Sequence, residues 1–118
     1  MRTLGIVLAS AVALLHVWFL VLEMFLWRTR ARRAFGMSAE QVEATAVLAR
    51  NQGLYNGFLA AGLGWALLSG AQLVPRATFF LACVVLAGTF GGVTVRRIIL
   101  YVQALPAAVA LVALWLSR

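Results

Sequence analysis

Residues 3–27 read TLGIVLASAVALLHVWFLVLEMFLW and run directly into RTRARR. An α-helix rises 1.5 Å per residue, so about 20 apolar residues match a hydrocarbon layer roughly 30 Å thick. Three further apolar stretches follow, at about 47–69, 77–92 and 98–116. The chain is 64% hydrophobic and 11% charged, against about 25% charged residues in a soluble domain. Such a chain cannot cover itself with polar surface in water, so lipid is its expected solvent. Backbone groups in lipid must be satisfied within the segment, which leaves the helix as the simple solution. The sequence therefore predicts an all-α integral membrane bundle of four transmembrane helices, forming a single domain over residues 1–118. A cleaved signal peptide is a poor description of the first span. A signal has an apolar region of about 7–15 residues followed by a small-residue cleavage site, whereas this span ends in bulky MFLW and arginines.

The formal net charge is +7 and every basic residue is Arg. The apolar spans argue against nucleic acid as the partner. In a membrane protein the basic excess is instead a topology signal and an attraction to anionic head groups. Arg28, Arg30, Arg32, Arg33 and Arg50 lie between the first two spans, and Arg96 and Arg97 lie between the last two. Arg2, Arg76 and Arg118 fall on the other side. The arginine-rich side is expected to be cytoplasmic, which puts both termini outside the cytoplasm in a multi-pass inner-membrane protein. Trp27 then sits at the inner interface, with Trp65 and Trp115 near the outer one. The lone Cys83 allows no intrachain disulfide.

Ser38 stands three residues before Gln41, a capping-box spacing that starts a helix. Helix two is thus predicted to begin near residue 39 and to run unbroken into the second span, with Glu40 and Glu43 near its positive end. The spacings Gly53-x-x-x-Gly57, Ala60-x-x-x-Gly64 and Gly88-x-x-x-Gly92 suit close helix contacts in lipid and leave a homo-oligomer open.

Against this apolar background the polar residues are few. His16 and Glu23 lie seven positions apart in the first span, on one face and about 10 Å apart along the axis. Ionisable groups inside a span are costly and point to function by default. The second span enters with Asn51, Gln52, Tyr55 and Asn56, in which residues four apart share a face. Thr89 and Thr94 fall in the inner half of the third span. Tyr101, Gln103 and Pro106 open the fourth, and Pro106 removes the hydrogen bond to the Val102 carbonyl and can kink the helix. By depth, the polar groups gather in the cytoplasmic half, as expected of a pocket open to the cytoplasm with His16 as its floor. Each also has a plainer role. His16 and the amides can simply join helices, and Glu23 can pair with Arg96 or Arg97.

HVWFLVLEMFLW, ANQGLYNGFLAAG, AGTFGG and QALPA resemble the family called domain of unknown function 1304, over nearly the whole chain. Asn51-Gln52-Gly53-Leu54-Tyr55-Asn56-Gly57 is the most specific part. The resemblance implies a small four-helix membrane protein and implies no activity. The polar positions of its motifs are His16, Glu23, Asn51, Gln52, Tyr55, Asn56 and Gln103.

The expected function is binding of a small lipophilic molecule in the pocket, with conversion of it by proton transfer (isomerase- or epoxide-type) as the enzymatic form. In that form His16 and Glu23 are the catalytic acid and base, and Asn51, Gln52, Tyr55, Asn56 and Gln103 bind the ligand. The alternatives are a carrier of lipophilic or cationic compounds, a haem protein ligated by His16, and a bundle without a ligand. The Arg bias opposes the dual topology of small multidrug transporters. A four-ligand zinc site cannot be assembled from one His, one Cys and the single Glu in the pocket.

Overall fold

The computed structural model describes residues 1–118 and is helical throughout. Four long helices account for most of the chain: α1 (Arg2–Met24), α2 (Ala39–Leu67), α3 (Leu73–Thr94) and α4 (Arg97–Trp115). Three segments, Arg2–Met24, Gly70–Thr94 and Arg97–Trp115, are long and apolar enough to cross a membrane. Helix α2 is the longest at 29 residues, roughly 43 Å, but it is not one of the three. Arg50, Asn51, Gln52 and Asn56 interrupt its apolar run.

Side chains that face outward are apolar in bulk. Leu86 is 71% exposed, Phe90 72% and Val93 81% along one stretch of α3. Water would penalise so continuous an apolar surface, and hydrocarbon does not. Together with the three long apolar helices, this marks a membrane protein.

Helix boundaries follow local chemistry. The backbone N–H of Ser38 donates to Gln41 Oε1 at 2.9 Å, and the N–H of Gln41 donates to Ser38 Oγ at 3.1 Å. This is the reciprocal capping box expected of Ser38 and Gln41, and α2 starts at Ala39. Helix α3 begins at Leu73, four residues before the expected start of the third span. Pro75 falls in its first turn, where the missing N–H would have no helical acceptor anyway, so the proline does not delay the helix. In α4 the segment Leu100–Ala104 is π-helical and stands just ahead of Pro106. The N–H of Leu105 donates to the Leu100 carbonyl, five residues back. This wider winding accommodates the proline, whose ring would otherwise press on the carbonyl four residues before it.

The chain divides into two compact units, residues 1–13 with 61–118 and residues 14–60. In the first, Ala77, Leu81, Val84 and Gly88 form the buried stripe of α3, and Ala104, Ala107, Ala110 and Ala113 that of α4. A methyl group placed on Gly88 would lie 2.6 Å from the Ala104 backbone nitrogen, so only hydrogen fits between these two helices. Trp115 Nε1 donates to Thr78 Oγ1 at 2.8 Å, and the guanidinium groups of Arg76 and Arg118 lie over the Trp65 and Trp115 rings.

The second unit holds the end of α1, a wound connector and the first part of α2. Its buried side of α2 is Val42, Ala46, Ala49 and Gly53, again at helical spacing. The connector continues in π geometry over Trp27–Ala31 and in one α turn over Arg32–Phe35. Gly36 stops it with φ +62°, a left-handed conformation that other residues rarely adopt.

Candidate functional site

Six of the seven site residues expected from sequence belong to the unit of residues 14–60, and Gln103 belongs to the other. Within the former, α1 presents His16 and Glu23, and α2 presents Asn51, Gln52, Tyr55 and Asn56. The structure distributes these six over three environments.

His16 is the only buried polar or charged residue, at 1% exposure, and meets the Phe19 ring edge to face with centroids 5.6 Å apart. Glu23, two turns further along α1, is half-buried. The Asn56 side-chain amide donates to its Oε1 at 2.6 Å. Its other oxygen, Oε2, accepts no protein hydrogen bond and is not sealed off, since no fully buried side-chain nitrogen or oxygen lacks a partner.

Asn56 reaches Glu23 because α1 and α2 come close there. A methyl group on Gly53 would lie 2.6 Å from Met24 Cγ and 3.2 Å from both Glu23 Cβ and the Leu20 carbonyl oxygen. One on Gly57 would meet Leu20 Cδ1 at 2.5 Å. The Gly53-x-x-x-Gly57 pair thus does what small residues at that spacing do in lipid. It sets the helices near enough for a short asparagine side chain to span them.

Asn51 and Gln52 are exposed, and so is Tyr55, whose ring meets Phe58 edge to face at 5.8 Å. These three lie outside the Glu23–Asn56 contact. Of the four polar residues expected on this part of α2, the structure joins one to the carboxylate. No three of the His, Cys and Glu side chains come together.

Next to this pair the connector makes its own polar contacts. Arg28 Nε and Nη2 donate to the two carboxylate oxygens of Glu43 at 2.6 and 3.1 Å. Both side chains are exposed. The hydrogen bond from Arg28, then its charge, hold the Glu43 carboxyl below its ordinary value. Trp27 Nε1 donates to Thr45 Oγ1 at 3.1 Å. The sequence shows that Glu40 and Glu43 stand near arginines. It does not show that Glu43 takes Arg28, because the π winding of the connector decides which way each arginine faces.

These features define a small all-α membrane protein with one half-buried carboxylate cradled between two helices. The model of the family described as "Protein of unknown function (DUF1304)" matches residues 10–115, and the chain belongs to that family. It is 30% identical over 115 residues to "Uncharacterized protein YpaA" of Lactococcus lactis subsp. lactis (strain IL1403), an alignment covering 95% of this chain and 97% of the relative. No solved structure matches significantly.

Proposed function

We propose that this chain is a four-span inner-membrane protein, with both termini outside the cytoplasm, whose cytoplasmic half binds the polar end of a small lipophilic molecule at Glu23. The observation that carries the reading is the Glu23–Asn56 contact. A carboxylate within an apolar helix is costly unless it is used or neutralised. Here one oxygen is held by an amide and the other is left to accept from a ligand. Asn56 orients the carboxylate, and Gly53 and Gly57 bring the two helices together around it. His16 lies about 10 Å away along α1 and forms the buried floor of this region. A ligand that donates a hydrogen bond or carries a positive charge fits the site. If the bound molecule is also converted, Glu23 is the group that exchanges the proton, since its free oxygen is the accessible one.

The four-span reading draws support from α2 itself. Its polar residues end at Asn56, and from Phe58 to Leu67 it is apolar. Polar residues at that end are tolerable where they line a polar site or pack on neighbours.

The test is mass spectrometry of small molecules that co-purify with the protein in mild detergent. Wild-type protein should carry a lipophilic compound that the Glu23→Gln variant, eluting as a folded species with the same helicity, has lost. The same complement of compounds in both preparations refutes the site. Cysteines placed at each end of the chain should react with a membrane-impermeant reagent from outside. Labelling of either end only after the membrane is opened refutes the topology.

A further inference from the structure

Connector residues 28, 29, 32, 33 and 36 recur at helical spacing and share one face, and Arg30 does not. That face opens as a hollow of about 640 Å³ lined by Arg28, Thr29, Arg32, Arg33, Gly36 and Met37. The hollow is fixed in place. Arg28 is held by Glu43 through two hydrogen bonds. Arg32 Nε donates to the Met37 carbonyl at 3.3 Å. The N–H groups of Gly36 and Met37 both turn back to the Arg32 carbonyl. Trp27, just ahead, is tied to Thr45.

These ties use only part of each donor set. Arg32 keeps both terminal nitrogens, Arg28 keeps one, and Arg33 keeps its whole fork. Glu43 neutralises Arg28, so the charges of Arg32 and Arg33 are unbalanced on this face. Planar guanidinium forks held in position match the oxygens of a phosphate group, and pre-ordering them lowers the entropic cost of binding. The hollow starts four residues after the end of α1, a helix apolar enough to cross a membrane, and so lies at head-group level. Phosphodiesters are abundant there, and the unbalanced charges favour a head group with net negative charge.

We propose that Arg28, Arg32 and Arg33, with Thr29, form a binding site for the phosphate of an anionic membrane lipid. This rests on α1 crossing the membrane and is independent of any ligand at Glu23. The full-length protein in nonionic detergent is titrated with phosphatidylglycerol, phosphatidylcholine or inorganic phosphate, and bound species are counted by native mass spectrometry. Phosphatidylglycerol should bind at one site in preference to phosphatidylcholine. Arg33→Gln should weaken it about fivefold, and Arg32→Gln with Arg33→Gln about 25-fold, on the scale of one basic residue at a membrane surface. Arg30→Gln, and the equally charge-reducing pair Arg96→Gln with Arg97→Gln, should change it by less than about twofold. Equal losses in the connector and control variants overturn the proposal, because diffuse charge is then sufficient. Equal binding of phosphatidylcholine, or displacement of the lipid by inorganic phosphate, overturns it as well. Arg33 donates to no other residue, so its variant keeps the fold and isolates the effect of binding.

Discussion

The two units of this chain solve the same problem with different emphasis. Inside a membrane, burying apolar side chains gives helices no net attraction, because lipid is as apolar as leucine. The unit of residues 1–13 and 61–118 relies on close backbone approach. Alanines at every third position of α4 and the stripe ending in Gly88 on α3 let two helices touch with no side chain between them. The unit of residues 14–60 adds to its close approach at Gly53 and Gly57 a set of directed polar contacts: Asn56 to Glu23, Arg28 to Glu43 and Trp27 to Thr45. Glycine serves both, but differently. At Gly88 the obstacle to a methyl group is backbone. At Gly53 the nearest obstacle is the flexible side chain of Met24. Packing of the first kind gives rigidity, while contacts of the second kind leave donors and acceptors that a ligand can use.

This contrast can be broken by experiment, and the largest effect is expected at Gly88. Gly88→Ala should destabilise the protein by about 2 kcal/mol despite the better helix propensity of alanine, read as a lower midpoint of thermal unfolding in detergent. An unchanged midpoint would mean that the α3–α4 contact is looser than its geometry. The Glu23–Asn56 contact should come next. In a double-mutant cycle of Glu23→Gln and Asn56→Ala the coupling should be about 1 kcal/mol, above the average of roughly 0.6 for hydrogen bonds between membrane helices because the acceptor is a carboxylate. Additive effects would show that the two side chains do not support each other.

Gly53→Ala should cost less than Gly88→Ala, about 1 kcal/mol. Met24 can move aside and alanine favours the helix, but the Leu20 carbonyl oxygen and Glu23 Cβ, each 3.2 Å from the added methyl, must give slightly. A loss as large as that at Gly88 would erase the distinction between the units. The smallest effect should come from Glu43. Its carboxyl is held below the ordinary value of 4.5 by Arg28, so its contribution is complete above that value and fades as pH falls through the depressed one. Amide hydrogen exchange in residues 27–37, corrected for the intrinsic pH dependence of exchange, should therefore stay flat from neutral pH to about 5 and rise below about 4. A rise centred near neutral pH would assign the tie to another group.

Much of the fold is legible in the order of residues. Long apolar runs place α1, α3 and α4, and Ser38 with Gln41 marks the start of α2 to the residue. Pro75 lies just ahead of the apolar run that begins at about 77, yet α3 already includes it. Only its position within the helix shows that it falls where no N–H is needed. Pro106 signals a local disturbance, and the π winding over residues 100–104 is the form that disturbance takes. Of the candidate site, the sequence singles out the right helices and an excess of polar groups. It cannot rank Asn51, Gln52, Tyr55 and Asn56, which all carry polar groups and fall within about a turn and a half of helix. Rotation of α2 against α1, set by Gly53 and Gly57, brings Asn56 to the carboxylate and turns the other three outward.

Composition and periodicity thus account for the helices, their lipid-facing character and the cost that makes Glu23 conspicuous, since each depends on local residue chemistry and the thickness of a bilayer. Which donor meets that carboxylate, which arginine Glu43 captures, and that three arginines and a threonine gather on one face depend on other things. They follow from helix rotation and from how the connector is wound. Rotation by about 40° brings in the residue four positions along, and short-range sequence signals carry no measure of that angle.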